Sequence, residues 1–208
     1  IQTLSSGYNR LDLKAIDELG IPVANNGGVN AIAVAEHTIG LMISVGKRLM
    51  LQWDTAVKQR AWRKGLQELE FSEVTGKTVG IVGFGPIGNQ VAKLLTGFDT
   101  RTIFSDIAAI PSEVRKELNA EPVPLDELLR KSDIVSLHVP LTSRTRGMIS
   151  DRELAMMKPS AILINACRGA VVDEKALYRA LVDGRIAAAG LDVLEKEPTP
   201  EDNPLFEL

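Results

Sequence analysis

The residues of this 208-residue chain best able to do chemistry are the glycines of Gly83-Phe84-Gly85-Pro86-Ile87-Gly88. Glycines fall at that spacing by chance in many sequences, so their context decides. The first ends an apolar run, Thr78-Val79-Gly80-Ile81-Val82, that reads as a buried strand. The third falls in the first turn of a helical pattern from Ile87 to Leu95, and a carboxylate, Asp106, closes the next strand eighteen residues after Gly88. In such a unit Gly83 permits the tight turn, Gly85 lets the backbone approach a pyrophosphate, and Gly88 lets helix and strand pack closely. The phosphates then meet unpaired N–H groups and the positive end of the helix dipole. Asp106 would accept hydrogen bonds from the adenosine ribose hydroxyls and repel a 2′-phosphate. No Arg or Lys occurs in the eight residues after it, so the pattern predicts NAD rather than NADP. A glycine turn that serves no nucleotide is the alternative, and the strand, helix and carboxylate around it argue against that.

Two further segments carry charges that a buried sheet would not choose for stability: Asn165-Ala166-Cys167-Arg168-Gly169-Ala170, and Gly190-Leu191-Asp192 running on to Glu197-Pro198. Both follow apolar strands. The carboxyl ends of strands in an open α/β sheet face the ligand crevice, so Arg168 and Asp192 are expected at the cofactor. A surface arginine at a strand end is the competing reading for Arg168.

These residues need a scaffold, and the chain supplies one. Beyond Thr78–Val82, strands are predicted at Thr102 to Ser105, Ile134 to Val139, Ala161 to Asn165 and Ala187 to Val193. Helical patterns fall at Leu125 to Arg130, Asp151 to Met156 and Glu174 to Val182. Alternating strands and helices predict an α/β fold: a Rossmann-type doubly wound parallel sheet with helices on both faces. Ahead of it, Ile32, Ala35, Ile39, Met42, Val45 and Leu49 recur at helical steps and predict one long amphipathic helix from Asn30 to Met50. The stretch from Gln52 to Glu73, with Trp53 and Trp62, reads as an exposed arm. Residues 1–29 read as extended pieces around a short helix near Leu11 to Leu19 that Gly20 stops.

Bulk properties limit the function classes. A chain that is 45% apolar can bury a real core. Its net charge of -3 gives no electrostatic support for binding nucleic acid. One cysteine, Cys167, and two histidines, His37 and His138, have no metal-ligand spacing and can form no internal disulfide, which fits a reducing, cytoplasmic setting. The longest apolar stretch, Ala31 to Gly46, is interrupted by Glu36 and His37 and is too short to span a bilayer, so no membrane partner is expected. Residues 1–6 do not read as a signal peptide, and the missing initiator Met points to a start inside a larger protein.

Taken with Gly7-Tyr8-Asn9, Gly20-Ile21-Pro22-Val23, Gly28-Val29-Asn30-Ala31, Val34-Ala35-Glu36-His37 and His138-Val139-Pro140-Leu141-Thr142, these motifs make the chain resemble the D-isomer-specific 2-hydroxyacid dehydrogenases over essentially its whole length. The resemblance implies a two-lobed enzyme with the NAD lobe inserted into a substrate lobe. Residues 1–29 would be the end of the substrate lobe and the hinge, and residues 30–208 the NAD lobe, with the long helix and a dimer arm at 30–75. Arg168 would clamp the carboxylate and carbonyl of the acid, a task that suits a fixed guanidinium fork. Glu197 would hold a catalytic histidine in its charged form, and Asp192 would hold the nicotinamide carboxamide. Pro86, Ile87, Val139, Pro140, Ala166 and Cys167 would line the cofactor, and Ser6 and Gly7 would face the substrate carboxylate.

The resemblance also implies an acid/base histidine some twenty residues or more past Glu197, so it is expected beyond Leu208, and neither His37 nor His138 matches it. Cys167 is read as a packed backbone contributor, not a nucleophile. The implied substrates are small 2-hydroxy or 2-keto acids: glyoxylate, hydroxypyruvate, D-lactate-like acids or phosphoglycerate. Formate and phosphite dehydrogenases, or an NAD-sensing corepressor of the same fold, are the alternatives. A homodimer built on the long helix and the arm is expected, because the helix is apolar over much of its circumference and the arm has too little apolar content to form its own core; a helix buried within one subunit is the alternative.

Overall fold

The computed structural model describes residues 1–4, 7–8, 11–62, 65–67 and 69–208. In chain order the elements are α1 (Leu13–Glu18), α2 (Ala31–Gly46), α3 (Leu49–Trp53), a π-helical turn (Asp54–Lys58), β1 (Thr78–Val82), α4 (Pro86–Leu95), β2 (Arg101–Ser105) and α5 (Ser112–Glu117). They continue with β3 (Ala120–Pro122), α6 (Leu125–Lys131), β4 (Ile134–Leu137), α7 (Asp151–Met156), β5 (Ile162–Asn165), α8 (Glu174–Val182) and β6 (Ala188–Leu191). The six strands form one parallel sheet in the order β3-β2-β1-β4-β5-β6, so the chain winds outward from β1 in one direction and then crosses to β4 and winds outward in the other.

Strand residues alternate between two cores, which is why both faces of the sheet carry helices. Val79 and Ile81 of β1, Phe104 of β2, and Ile162 and Ile164 of β5 point to one side, where α2 and α4 cover them with Ala35, Met42, Val91 and Leu95. Val82, Ile103, Val135, Leu137 and Leu163 point to the other and meet α6, α7 and α8 through Leu128, Leu154 and Leu177. The helix starts are written locally. Asp173 caps α8 by accepting the Ala176 N–H at 3.0 Å, and at α7 the Glu153 carboxylate reaches back to the Ser150 N–H at 3.2 Å.

The expected helix from Asn30 to Met50 is not continuous. Its helix α2 ends at Gly46, and Arg48 adopts a left-handed conformation (φ 50°, ψ 44°) before α3 begins. The returning segment supplies the reason: Ser72 N–H donates to Gly46 O at 2.9 Å, occupying a carbonyl that a straight helix would need for its next turn. Lys47 then reaches Glu73 at 2.5 Å. The expected arm is correspondingly helical at its start, through α3 and the π turn. At the N-terminus a single parallel bridge joins Gln2 to Ala24. Among the described residues no helix is long and apolar enough to cross a membrane.

Candidate functional site

The strand register lines up Val82 with Ser105 on one side and Leu137 on the other, Leu137 with Asn165, and Asn165 with Leu191. The strands β1, β2, β4, β5 and β6 therefore end on one level. The residue after each, namely Gly83, Asp106, His138, Ala166 and Asp192, falls on a single row at the carboxyl edge of the sheet. Backbone bonds extend the ladder one step to that row: Gly83 N–H to Ser105 O at 2.9 Å, His138 N–H to Val82 O at 2.7 Å, and Asp192 N–H to Asn165 O at 3.0 Å. Its middle, between β1 and β4, is where the strand order reverses, the point at which open α/β sheets take their ligands.

The glycines at this point differ in what they do. Gly83 has φ 93°, and a Cβ on it would fall 2.5 Å from His138 O, so both the turn and the neighbouring strand require glycine. A Cβ on Gly88 would fall 2.2 Å from Gly83 O, which is the close helix–strand approach. Gly85 is the exception. Its backbone is extended (φ -75°, ψ -162°), and among the described residues, its two chain neighbours aside, nothing lies within 4 Å of where its Cβ would be. None of those residues needs that position bare. The open space adjoins the start of α4, where the N–H groups of Ile87 and Gly88 precede the first helical bond, Asn89 N–H to Gly85 O at 2.9 Å. A pyrophosphate fits this cradle in shape and in charge. The Asn89 side chain braces it by donating to Phe84 O at 2.5 Å and Gly85 O at 2.9 Å.

Asp106 has a structural task that its place in the motif does not reveal. Its Oδ2 accepts the Phe84 N–H at 2.5 Å and its Oδ1 the Ala108 N–H at 2.7 Å, so it ties the glycine turn to the loop after β2. The Phe84 ring stacks on Phe104, with centroids 4.0 Å apart, and completes the tie. Beside Asp106 a cleft of about 500 Å³ runs between Ala108–Ile110 and Pro122–Pro124, apolar on both walls. Arg115, nine residues after Asp106, also lines it, and its Nε is buried with no hydrogen-bond partner among the described residues. A second cleft, of about 470 Å³, shares Arg115 but contains none of the candidate residues.

The loop after β5 is held from within. Asn165 Oδ1 accepts the Cys167 N–H and the Cys167 Sγ–H, both at 3.1 Å, and its Nδ2 donates to Arg168 O at 3.0 Å. Arg168 in turn donates to Cys167 O at 2.6 Å. Burial pushes the Cys167 thiol above its ordinary range even though nearby backbone N–H groups pull the other way, so it is a packed group and a poor nucleophile. A Cβ on Gly169 would fall 1.9 Å from the Leu194 carbonyl carbon, and this contact brings the Arg168 loop against the segment after β6. That segment is pinned by Glu197, which accepts the Leu194 N–H at 3.2 Å, and by Glu174, which accepts the Glu195 N–H and the Asn203 amide.

Arg168, Asp192 and Glu197 thus lie on two adjoining loops, as do Ala166 and Cys167, while Val139 and the exposed Pro140 follow β4. Gly7 is half-buried, and Ser6 lies outside the described residues. His138 sits beneath the glycine turn. Its Nε2 is 2.8 Å from Ser136 Oγ, its Nδ1 is buried with no partner among the described residues, and burial lowers its pKa to about 4. His37, read in the sequence as part of a helix motif, stands with Nε2 3.2 Å from Asp192 Oδ1, a meeting that no local signal announces.

Comparison with known proteins bears on the same residues. The model of the "D-isomer specific 2-hydroxyacid dehydrogenase, NAD binding domain" matches residues 39–208. A glyoxylate reductase of Korarchaeum cryptofilum is 43% identical over 204 residues, covering 97% of this chain and 61% of the relative. A D-3-phosphoglycerate dehydrogenase of Methanocaldococcus jannaschii is 41% identical over 203 residues, covering 97% and 38%. The crystal structure of a glyoxylate reductase from Paecilomyes thermophila superposes with a TM-score of 0.87 at 37% identity, covering 97% of this chain and 60% of that one. The chain thus spans about three fifths of the glyoxylate reductases it matches.

Proposed function

The chain belongs to the D-isomer specific 2-hydroxyacid dehydrogenases, whose NAD-binding domain it matches, and from that premise we propose that it is the cofactor-binding part of an oxidoreductase that interconverts small 2-keto acids and D-2-hydroxy acids. The observation that carries this reading is the bare position at Gly85 beside the start of α4, two residues past Gly83, which shares its row of strand ends with Asp106 and Asp192.

The pyrophosphate of NAD is assigned to the turn from Gly83 to Gly88, and the adenosine to the cleft beside Asp106, which accepts from the ribose hydroxyls with the lone pairs that Phe84 and Ala108 leave over. Val139, Pro140, Ala166 and Cys167 line the way to the nicotinamide end, where Asp192 accepts from the carboxamide. Bound NADH supplies the hydride for the keto carbon, and bound NAD accepts it in the reverse direction. Arg168 holds the carboxylate and polarises the keto oxygen, and Gly7 and Ser6 face the same carboxylate. The oxygen must gain a proton as the carbon gains hydride. Glu197 is assigned to hold the imidazolium that gives it, and neither His37 nor His138 is assigned that transfer. A neutral, buried imidazole with a pKa of about 4 is a poor proton donor near pH 7.

The full protein should therefore oxidise NADH in the presence of glyoxylate or hydroxypyruvate. Changing Arg168 to Lys should raise KM for the acid while leaving NADH binding, followed by fluorescence, nearly unchanged. NADH binding with no turnover of any 2-keto acid would favour an NAD-sensing protein instead.

Two finer assignments accompany this one. Ile32, Met50, Trp53, Val57 and Trp62, each at least half exposed, support a homodimer through α2 and the arm, to be checked by sedimentation. A lone thiol supports a cytoplasmic place of action, where reductants keep it free.

A further inference from the structure

The helix α2 lies against β6 because Gly190 leaves room for it. A Cβ on Gly190 would fall 3.1 Å from Val45 Cγ2 and 3.5 Å from Leu41 Cβ. Val45 and Leu41 are one helical turn apart, and the next residue of that stripe toward the N-terminus is His37. The strand alongside runs out at Leu191. The first polar member of the stripe therefore arrives where the sheet ends, and His37 Nε2 stands 3.2 Å from Asp192 Oδ1. Asp192 is tied through its backbone N–H to Asn165 O, but its side chain is half exposed and has two rotatable bonds.

We propose that His37 is a positioning residue for the nicotinamide end of the cofactor. By engaging Oδ1, it fixes the Asp192 carboxylate in one orientation and leaves Oδ2 as a preset acceptor for the carboxamide N–H. This rests on the reading of Asp192 as the carboxamide's partner. The pair is half exposed on both sides, and such a pair holds a fold weakly in water. Its effect falls instead on how much freedom Asp192 must give up when the cofactor arrives. Nothing covalent is involved, and either charge state of the imidazole can present a donor at Nε2.

The experiment uses the full protein and two probes: NADH, and its reduced 3-acetylpyridine analogue, in which a methyl ketone replaces the carboxamide and no N–H remains to donate. The ratio of their dissociation constants, read by fluorescence titration, reports recognition of the carboxamide NH2, and Asp192→Ala isolates the share that Asp192 supplies. Asp192→Ala should abolish the preference for NADH. His37→Leu should narrow it by about two- to fivefold, the range open to an exposed charged contact. His37→Gln, which keeps an N–H at a similar reach, should restore it, with melting temperatures alike throughout. If Asp192→Ala abolishes the preference but His37→Leu leaves it intact, the role of His37 is refuted and that of Asp192 stands. If Asp192→Ala leaves it intact, the reading of Asp192 is wrong, and the inference falls with it. If His37→Leu weakens both probes equally and lowers the melting temperature, His37 is structural only.

Discussion

Gly169 and Leu194 touch so closely that a single methyl group on the glycine would fall 1.9 Å from the leucine's carbonyl carbon, and this contact joins the loop carrying Arg168 to the segment carrying Glu197. Backbone stands on the receiving side, so no rotamer change can relieve the overlap. Gly169→Ala should destabilise the chain by about 3 kcal/mol and lower its melting temperature by roughly 6–12 °C. It should also raise KM for the acid in the full protein more than Kd for NADH, because the loop it displaces ends in Arg168. Thermal unfolding and steady-state kinetics check the two halves separately.

Gly85 should behave in the opposite way. Its φ is ordinary and its surroundings are empty, so Gly85→Ala should leave the stability within about 0.5 kcal/mol of the parent while weakening NADH by tenfold or more, about 1.4 kcal/mol. Gly88→Ala places its methyl 2.2 Å from Gly83 O and should lose stability as well. Fluorescence titration beside a melting curve separates the two. Undiminished NADH binding by Gly85→Ala would remove the pyrophosphate from this turn.

Cofactor choice should depend on two residues. Asp106→Ser removes the charge that opposes a 2′-phosphate and should narrow the NAD:NADP affinity ratio, at a stability cost of about 1–2 kcal/mol from the orphaned Phe84 N–H. Arg115 lines the same cleft and should attract the extra phosphate once Asp106 is gone. Adding Arg115→Ala should therefore reverse most of the gain in NADP affinity measured by calorimetry. Equal NADP affinity with and without Arg115 would limit the choice to Asp106.

His138 predicts an acid limb in stability. Its folded pKa of about 4 lies below the ordinary 6.5, so between those values the unfolded chain takes up a proton that the folded chain refuses. The stability is complete above pH 6.5 and is lost as pH falls toward 4, by about 3 kcal/mol in all. Asp133 acts in a lower window. Burial raises its pKa, but the Lys158 ammonium and the Thr78 N–H pull it below the usual 3.8, and what it contributes is lost only as pH falls below that. Urea unfolding at about pH 7, 5.5 and 4.5 should show the first loss in the parent and much less of it in His138→Gln.

The legible parts of this molecule are those that local chemistry specifies. The runs at Thr78–Val82 and Ile134–Leu137 announce buried strands, and Asp151–Met156 and Glu174–Val182 start where Ser150 and Asp173 place their caps. The strand Ala120–Pro122 escaped notice because three residues ending in proline at a sheet edge carry no period, although the helix before it, Ser112–Glu117, has acid early and base late in the usual sense. The break at Arg48 was hidden because the apolar pattern runs on to Leu49, and the bond that ends the helix comes from Ser72, far along the chain. The site was legible where a motif fixes residues within one turn, as at Gly83 to Gly88. It was not where meaning comes from distant partners: the bond of Asp106 to Phe84, Arg115 in the cleft, and His37 at Asp192.

The row of strand ends has a consequence for how such a protein can change. At Gly83, His138 and Asp192 the ladder reaches one residue past the strand through backbone N–H groups, whose bonds do not depend on the side chain. A mutation at the last residue of a strand, such as Leu137, disturbs a sealed core, whereas one step later, at Asp192, the backbone is still anchored and the side chain is half in water. Gly83 must stay glycine, so within that one-residue margin it is heritable variation at Asp192 that would alter recognition at little risk to folding. Selection would find new specificities at such a position first, and a randomised library for altering this protein has its natural starting point there.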